Sequence, residues 1–254
     1  MNWIDFTNSV ETLCNAHTDG LSVKITYHKQ SFSFHELKTH TSASLIKIPL
    51  VLTVMQKIEQ GQLTLTDRRA ISETVKGTGV LHYLHNVPDL SLHDLMKLAI
   101  IVSDNSAANL LIEEVGMEAV QQLSQMVGAN DTLLLKPFMS HNRMRDNFTT
   151  AQDMVTYLTL IGEPNRYFNE ESRRHLYGML YDQQLTKRLG EQLAGSEVQL
   201  ASLSGTSRIA MHDVGIFSLG QERLYVAVLT ENMPHANEVM STIGKLCIDF
   251  LTAT

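Results

Sequence analysis

Stretches that suit β-strands lie at the two ends of this chain, and almost everything between them reads as helix. Near the N-terminus Leu21, Val23, Ile25 and Tyr27 alternate with polar residues, and after a His28-Lys29-Gln30 turn the period of two returns in Ser31-Phe32-Ser33-Phe34. Near the C-terminus His212-Asp213-Val214-Gly215-Ile216-Phe217 and Leu224-Tyr225-Val226-Ala227-Val228-Leu229 read as neighbouring strands joined through Gly220-Gln221-Glu222-Arg223. Each end has an apolar face to bury, so the two ends are expected to share one sheet, with about 140 residues of helical chain inserted between them.

The periodicity predicts a helix over residues 2–16, ended by Asp19-Gly20, and another from about Ser44 to Glu59, stopped by Gly61. Further helices are expected from a Ser91 cap to Val102, over 107–115 and 118–126, from Thr149 onward, over 170–189, and over 236–251. From Gly128 to Asp146 the period collapses into a packed loop containing Leu133-Leu134-Leu135-Lys136-Pro137-Phe138 and Ser140-His141-Asn142-Arg143. Long ordered loops are often functional.

The chain has 254 residues, 43% of them hydrophobic, which is ample for a real core. A formal charge of -7 without any long Lys/Arg run argues against a phosphate-binding role, and nucleic acid is not expected as a partner. Only Cys14 and Cys247 occur, too few for a disulfide framework, and they are expected as buried thiols, although the two terminal segments could lie close together. The 11 histidines are scattered, so neither a metal nor a cofactor is expected. No window approaches a membrane span, and Met1-Asn2-Trp3-Ile4-Asp5-Phe6 is not a basic region followed by an apolar run. The expectation is a cytoplasmic protein without a membrane partner.

Chemistry concentrates in Ser42-Ala43-Ser44-Leu45-Ile46-Lys47-Ile48-Pro49-Leu50. Ser44 and Lys47 stand three apart, and one turn of helix places both side chains on one face. A serine hydroxyl is a weak nucleophile at neutral pH. An amine within hydrogen-bond reach of it, desolvated by Leu45, Ile46 and Ile48, can serve as its base. The same spacing suits a helix cap followed by a snorkelling lysine, so the pair needs partners elsewhere. Ser103-Asp104-Asn105 lies between two apolar helices, where three polar side chains either satisfy backbone groups at a helix junction or face a cleft.

In order along the chain, Ser44-x-x-Lys47, Ser103-Asp104-Asn105 and Ser204-Gly205-Thr206 ahead of His212-Asp213 resemble the motifs of the penicillin-recognising serine hydrolases, and among them the class A β-lactamases. Gly79-Val80-Leu81, Ser106-Ala107-Ala108-Asn109-Leu110-Leu111 and Thr149-Thr150-Ala151-Gln152-Asp153-Met154 extend the resemblance over most of the chain. It implies an α/β (α+β) fold of the β-lactamase/transpeptidase type, an antiparallel sheet flanked by terminal helices. Residues 1–43 and 190–254 would form the sheet subdomain, residues 44–189 an inserted all-α subdomain, with the active site in the cleft between them.

By the same resemblance Ser44 is the nucleophile, Lys47 its base and Ser103 the relay to the leaving group. Asn105 would bind the substrate's amide, Asp104 would be structural, and the backbone N–H groups of Ser44 and Thr206 would form the oxyanion hole. Ser204 and Gly205 would line the substrate site. Two positions depart from the family. The lysine that opens the third motif is replaced by Leu203, with Arg208 or His212 as possible substitute cations. Where the family carries a water-activating Glu, the alignment places Phe138, with Asn142 at the family's Asn. The expectation is therefore a serine hydrolase acting on an ester, amide or peptide substrate through an acyl-enzyme, with β-lactamase activity weak or absent. An acylation-dependent binding or sensor protein is the alternative, and a catalytically silent relative the third reading.

Overall fold

A computed structural model describes residues 1–140 and 146–253. Asn142, aligned above with a family position, lies outside the described residues. The chain opens with α1 (Trp3–Asn15), whose first turn is held by the Asn2 side chain accepting from the Asp5 N–H at 2.9 Å. Its buried Phe6, Val10 and Cys14 recur at helical spacing on one face. The hairpin β1 (Leu21–Tyr27) and β2 (Gln30–Phe34) follows as expected, and a short β3 (His40–Thr41) leads into a 3-10 turn, Ala43–Ile46.

Then come α2 (Lys47–Glu59), β4 (Arg68–Ala70), β5 (Asp89–Ser91), α3 (Leu92–Ile101), α4 (Asn105–Val115), α5 (Met117–Met126), β6 (Phe148–Thr149), α6 (Ala151–Gly162) and α7 (Glu170–Tyr181). Three long strands, β7 (Gln199–Thr206), β8 (Ala210–Leu219) and β9 (Glu222–Glu231), precede the closing helix α8 (Ala236–Ala253). Among the described residues no helix is long and apolar enough to cross a membrane.

The two ends of the chain do share one sheet, antiparallel throughout, in the order β2-β1-β9-β8-β7. Its two faces bury different partners. Leu21, Val23 and Ile25 of β1, with Val226 and Val228 of β9, join the core formed with α1 and α8. Ala201 and Leu203 of β7, with Ala227 and Leu229 of β9, join the core of the helical block. Apolar side chains on both faces of β8 and β9 follow from this double covering. The edge strand β2 keeps Gln30, Ser31 and Ser33 exposed, which discourages edge-to-edge pairing. Cys14 and Cys247 are buried free thiols on the packed pair α1 and α8.

Within the helical block α2 is buried continuously from Lys47 to Met55, the mark of a central helix. Around it pack α3, α4, α5 and α7.

Three local expectations change. Helix α4 begins at Asn105 rather than Ala107, because Asp104 caps it by accepting from the Ala107 N–H at 2.9 Å. Ser44 sits in the 3-10 turn ahead of α2, where residues three apart eclipse each other. The helix expected over 170–189 stops at Tyr181. Beyond it Gln183 Nε2 donates to the Ile100 carbonyl at 2.8 Å and the Gln184 N–H to the Ile101 carbonyl at 2.9 Å. These bonds satisfy the open end of α3 and turn the chain toward the sheet, where the Leu189 N–H reaches Asp213 Oδ2 at 2.9 Å.

Asp104 also holds the loop opposite α4, its Oδ2 accepting from the Val80 and Leu81 N–H groups at 2.6 and 2.8 Å. Gly79 has φ +109°, and a Cβ there would lie 2.3 Å from the Asp104 carboxyl carbon. Asp104→Ala strands three N–H groups, two of them buried, and removes a cap. We expect it to cost about 2–4 kcal/mol of stability, read from the urea midpoint at unchanged slope.

Candidate active site

The 3-10 turn and the end of α3 bring Ser44, Lys47, Ser103 and Asn105 together. Ser103 Oγ lies 2.7 Å from Ser44 Oγ and 2.9 Å from Lys47 Nζ, whereas Lys47 Nζ is 3.5 Å from Ser44 Oγ. Two further oxygens face the amine, the Ser103 carbonyl at 2.6 Å and Asn105 Oδ1 at 2.9 Å. Ala43 and Ser103 both have positive φ, +46° and +53°, an uncommon conformation for residues with a Cβ. Strain of this kind persists only where surrounding bonds enforce it. At Ser103 those bonds include Thr78 Oγ1 donating to its carbonyl at 2.6 Å.

Lys47 is fully buried and pairs with no carboxylate among the described residues. Burial pushes its amine down to about 7, partly opposed by the charge of Asp104. The geometry then sorts the partners of the neutral amine. It has two N–H bonds and one lone pair. The Ser103 carbonyl and Asn105 Oδ1 can only accept, so they take the two hydrogens, and the lone pair is left toward the hydroxyls of Ser103 and Ser44.

Phe138 reaches the same point from the loop. Its ring centroid lies 4.4 Å from Lys47 Nζ. Asn109 holds the backbone there from both sides, Oδ1 accepting from the Phe138 N–H at 2.8 Å and Nδ2 donating to its carbonyl at 3.1 Å.

On the opposite wall β7 passes close to the turn of Ser44. A Cβ at Gly205 would stand 3.3 Å from the Ser42 carbonyl oxygen and from Ala43 Cβ, so a larger residue would push strand and turn apart. Leu203 is fully buried in the core of the helical block. Ser204 Oγ shares its one hydrogen between two acceptors, the Leu185 carbonyl at 3.0 Å and Asp213 Oδ1 at 3.1 Å.

Of the two residues considered as substitute cations, Arg208 is exposed on the rim of the cleft. His212 is fully buried below it, with Nε2 donating to the Thr41 carbonyl at 2.7 Å and Nδ1 accepting from the Thr230 N–H at 3.0 Å. A neutral ring with both nitrogens engaged presents no charge to the cleft, which disfavours His212 as the substitute cation.

The cation that reaches this wall is Arg188. Its guanidinium donates to the Gly205 carbonyl at 2.8 Å, the His212 carbonyl at 2.5 Å and Thr206 Oγ1 at 2.6 Å. Sequence reasoning missed Arg188 by placing it inside a helix. The break at Tyr181 and the crossing to the sheet are tertiary events with no motif to mark them.

Two cavities meet at Ser44, Thr78 and Thr206. One, about 470 Å³, runs past Phe138 and Met139 toward Arg208; the other, about 340 Å³, runs past Ser103 and Ser204 to Lys187 and Arg188. Among the described residues no cluster of His, Cys, Asp and Glu is placed to hold a metal.

A sequence model of the β-lactamase enzyme family matches residues 5–251 of the chain. Among solved structures, a β-lactamase from Sphaerobacter thermophilus DSM 20745 superposes with a TM-score of 0.89 at 28% identity, over 100% of this chain and 99% of that one. PBP-A superposes with a TM-score of 0.88 at 19% identity, over 99% of this chain and 97% of that one. A mutant of PBP-A with the same score and identity, 98% of it covered, is an acyl-enzyme complex with penicillin G. An ancestral class A β-lactamase superposes with a TM-score of 0.85 at 21% identity, over 96% of this chain and 99% of that one. The curated proteins contain no match.

Beneath the site His40 and His212 face each other edge to face, 5.9 Å apart. His40 Nε2 bonds Ser22 Oγ at 2.8 Å, and Glu231 lies 3.9 Å from His40 Nδ1 while accepting from the Thr41 N–H at 2.6 Å. Burial pushes both imidazoles down to about 4 from an ordinary 6.5, with the facing His212 and then Lys38 adding to the effect at His40, Arg188 at His212, and Glu231 opposing both.

Between pH 6.5 and 4 the unfolded chain therefore binds two protons that the folded chain refuses, and their contribution to stability falls with falling pH. Buried Asp213, raised to about 6, acts in the opposite sense by one proton between 6 and 3.8. We expect the urea midpoint to fall from pH 7 to pH 4.5, and to fall less in His40→Gln.

Proposed function

Because the chain belongs to the β-lactamase enzyme family, we propose that it is a serine hydrolase that forms an acyl-enzyme on Ser44. The observation that carries this reading is the bridge from Ser44 Oγ through Ser103 Oγ to the Lys47 amine, at 2.7 and 2.9 Å, around a lysine whose pKa is lowered to about 7. With the lone pair of neutral Lys47 aimed at the hydroxyls, Ser44 Oγ attacks the scissile carbonyl. Its proton passes to Nζ, through Ser103 or directly as the 3.5 Å gap tightens around substrate. Negative charge develops on the carbonyl oxygen, toward the backbone N–H groups of Ser44 and Thr206. The Ser44 Oγ–C bond forms, the bond from that carbon to the leaving nitrogen or oxygen breaks, and Ser103 passes the proton to the leaving group.

The substrate is a small molecule or peptide with an ester or amide bond. Asn105 is buried with Oδ1 engaged by Lys47, and its Nδ2, which makes no hydrogen bond among the described residues, can meet an amide carbonyl. Ser204, Gly205 and Thr206 form the facing wall. Arg188, beside Lys187, supplies the charge that Leu203 lacks, and so favours a substrate with an anionic group.

Release is the weak step. Phe138 occupies the space beside Lys47 where a carboxylate would activate water, and an aromatic ring cannot accept the proton. Asp146, a carboxylate on the wall of the larger cavity, is paired with Lys136 at 2.6 Å. Acylation without fast hydrolysis follows for a penicillin. The same observation favours, as a second reading, a protein whose function is to stay acylated.

Intact-mass spectrometry with benzylpenicillin and a fluorophosphonate tests the reading. We expect an adduct on Ser44, none in Ser44→Ala, and labelling slowed at least about 100-fold in Lys47→Ala. No adduct with either reagent would sink both readings. The labelling rate should rise with pH through about 7 and level off above, because only the neutral amine accepts the proton. In Phe138→Glu we expect loss of a bound penicilloyl group to speed up by about 10-fold or more. Turnover of an unactivated ester by the native protein would favour the hydrolase over the acylated sensor.

A further inference from the structure

The net charge of the chain is -7, yet one cavity remote from Ser44 is lined by three arginines. It measures about 470 Å³ and lies where the end of α6, the first turns of α7 and the β8–β9 turn meet, with Arg173, Arg174, Arg223, Tyr177 and Gln221 on its walls. The active-site cleft adjoins the Ala210 end of β8 and this cavity the Leu219 end, a separation of about 30 Å at roughly 3.4 Å per residue. The two share no lining residue.

The charges around the cavity do not balance internally. Two carboxylates, Glu163 and Glu170, belong to its wall. Glu163 accepts from the Tyr225 hydroxyl at 2.5 Å, and Glu170 pairs with Arg174 at 3.1 Å. Arg223 is fixed, donating to the Gly162 carbonyl with its guanidinium 5.8 Å from the Tyr177 ring. Arg173 is half-buried and, among the described residues, makes no ion pair, and its Nε is buried with no hydrogen-bond partner. Three guanidinium groups against two occupied carboxylates leave one positive charge, held by a fixed frame that includes an arginine without a partner. A planar fork of N–H donors in that setting suits a carboxylate or phosphate group, which it can meet with two parallel bonds.

We propose that this cavity binds a small ligand through an anionic carboxylate or phosphate group seated on Arg173, with Arg174 and Arg223 flanking it. Gln221 offers an amide to a neighbouring polar group, and the Tyr177 ring an apolar floor. The site stands apart from the acyl-transfer chemistry and holds whether or not Ser44 reacts.

Thermal unfolding and calorimetry of the full chain test it, with inorganic phosphate and succinate as separate probes and sodium chloride at matched ionic strength as control. We expect saturable binding heat for at least one probe and a rise in Tm of about 2–4 °C at 10 mM over the chloride control. Which probe acts distinguishes a phosphate from a carboxylate ligand. In Arg173→Gln the rise should disappear; in Arg166→Gln, an exposed arginine outside the cavity, it should persist. Should Arg173→Gln fold poorly, Arg174→Gln on the exposed side should at least halve the rise. Absence of saturable heat with both probes, or an undiminished rise in the cavity variants, would overturn the proposal.

Discussion

A lysine amine buried without a carboxylate partner sets the terms for the rest of this site. Water would keep Lys47 protonated; burial in the core of the helical block lowers it to about 7. Removing an ammonium from water is costly, so its surroundings must offer enough oxygen atoms to keep the amine in place without stabilising its charge too well. The Ser103 carbonyl and Asn105 Oδ1 do this as neutral acceptors. A carboxylate in their place would hold the proton on Lys47 and disable the lone pair.

That requirement explains the strained backbone around it. Ser103 can aim both its carbonyl and its hydroxyl at Nζ only by taking positive φ, and the cost is met by bonds from Thr78 and by the neighbouring cap at Asp104. Ala43 has the same strain one residue before Ser44, where the turn must leave β3 and enter α2 under the end of β7. The buried pair His40 and His212 holds that entry from below through Thr41. The sheet and the helical block are thus joined at the site by short, directional bonds, and apolar packing supplies the stiffness behind them.

Leu203 and Phe138 take their places without disturbing this frame. Leu203 is simply core, and the positive charge arrives from Arg188 across the sheet edge, bound to the same strand by its carbonyl and hydroxyl oxygens. Phe138 is held by Asn109 in contact with Lys47, so the loop sets an aromatic face beside the amine. An aromatic face tolerates a nearby ammonium and excludes water from that side of the amine.

Much of this architecture is legible in the amino-acid sequence. Alternation in β1 and β2 and in β8 and β9, the helical periods between them and the cap at Ser91 are local patterns, and local patterns report on faces and ends of elements. Ser44 and Lys47 stand out by their spacing, and Ser103, Asn105 and Phe138 through the resemblance of the ordered motifs to those of the family. What spacing cannot carry is the hydrogen-bond order, in which Ser103 and not Lys47 lies nearest Ser44, since this depends on positive φ at Ser103 and on two helix ends meeting. Nor can it separate His212, Arg208 and Arg188, because whether a cation faces a cleft or a core depends on where the chain crosses from α7 to the sheet. The residue types and their order therefore determined which chemistry is possible here, while burial and long-range hydrogen bonds, which exist only once distant segments pack, decided the protonation of Lys47 and which charge stands beside it.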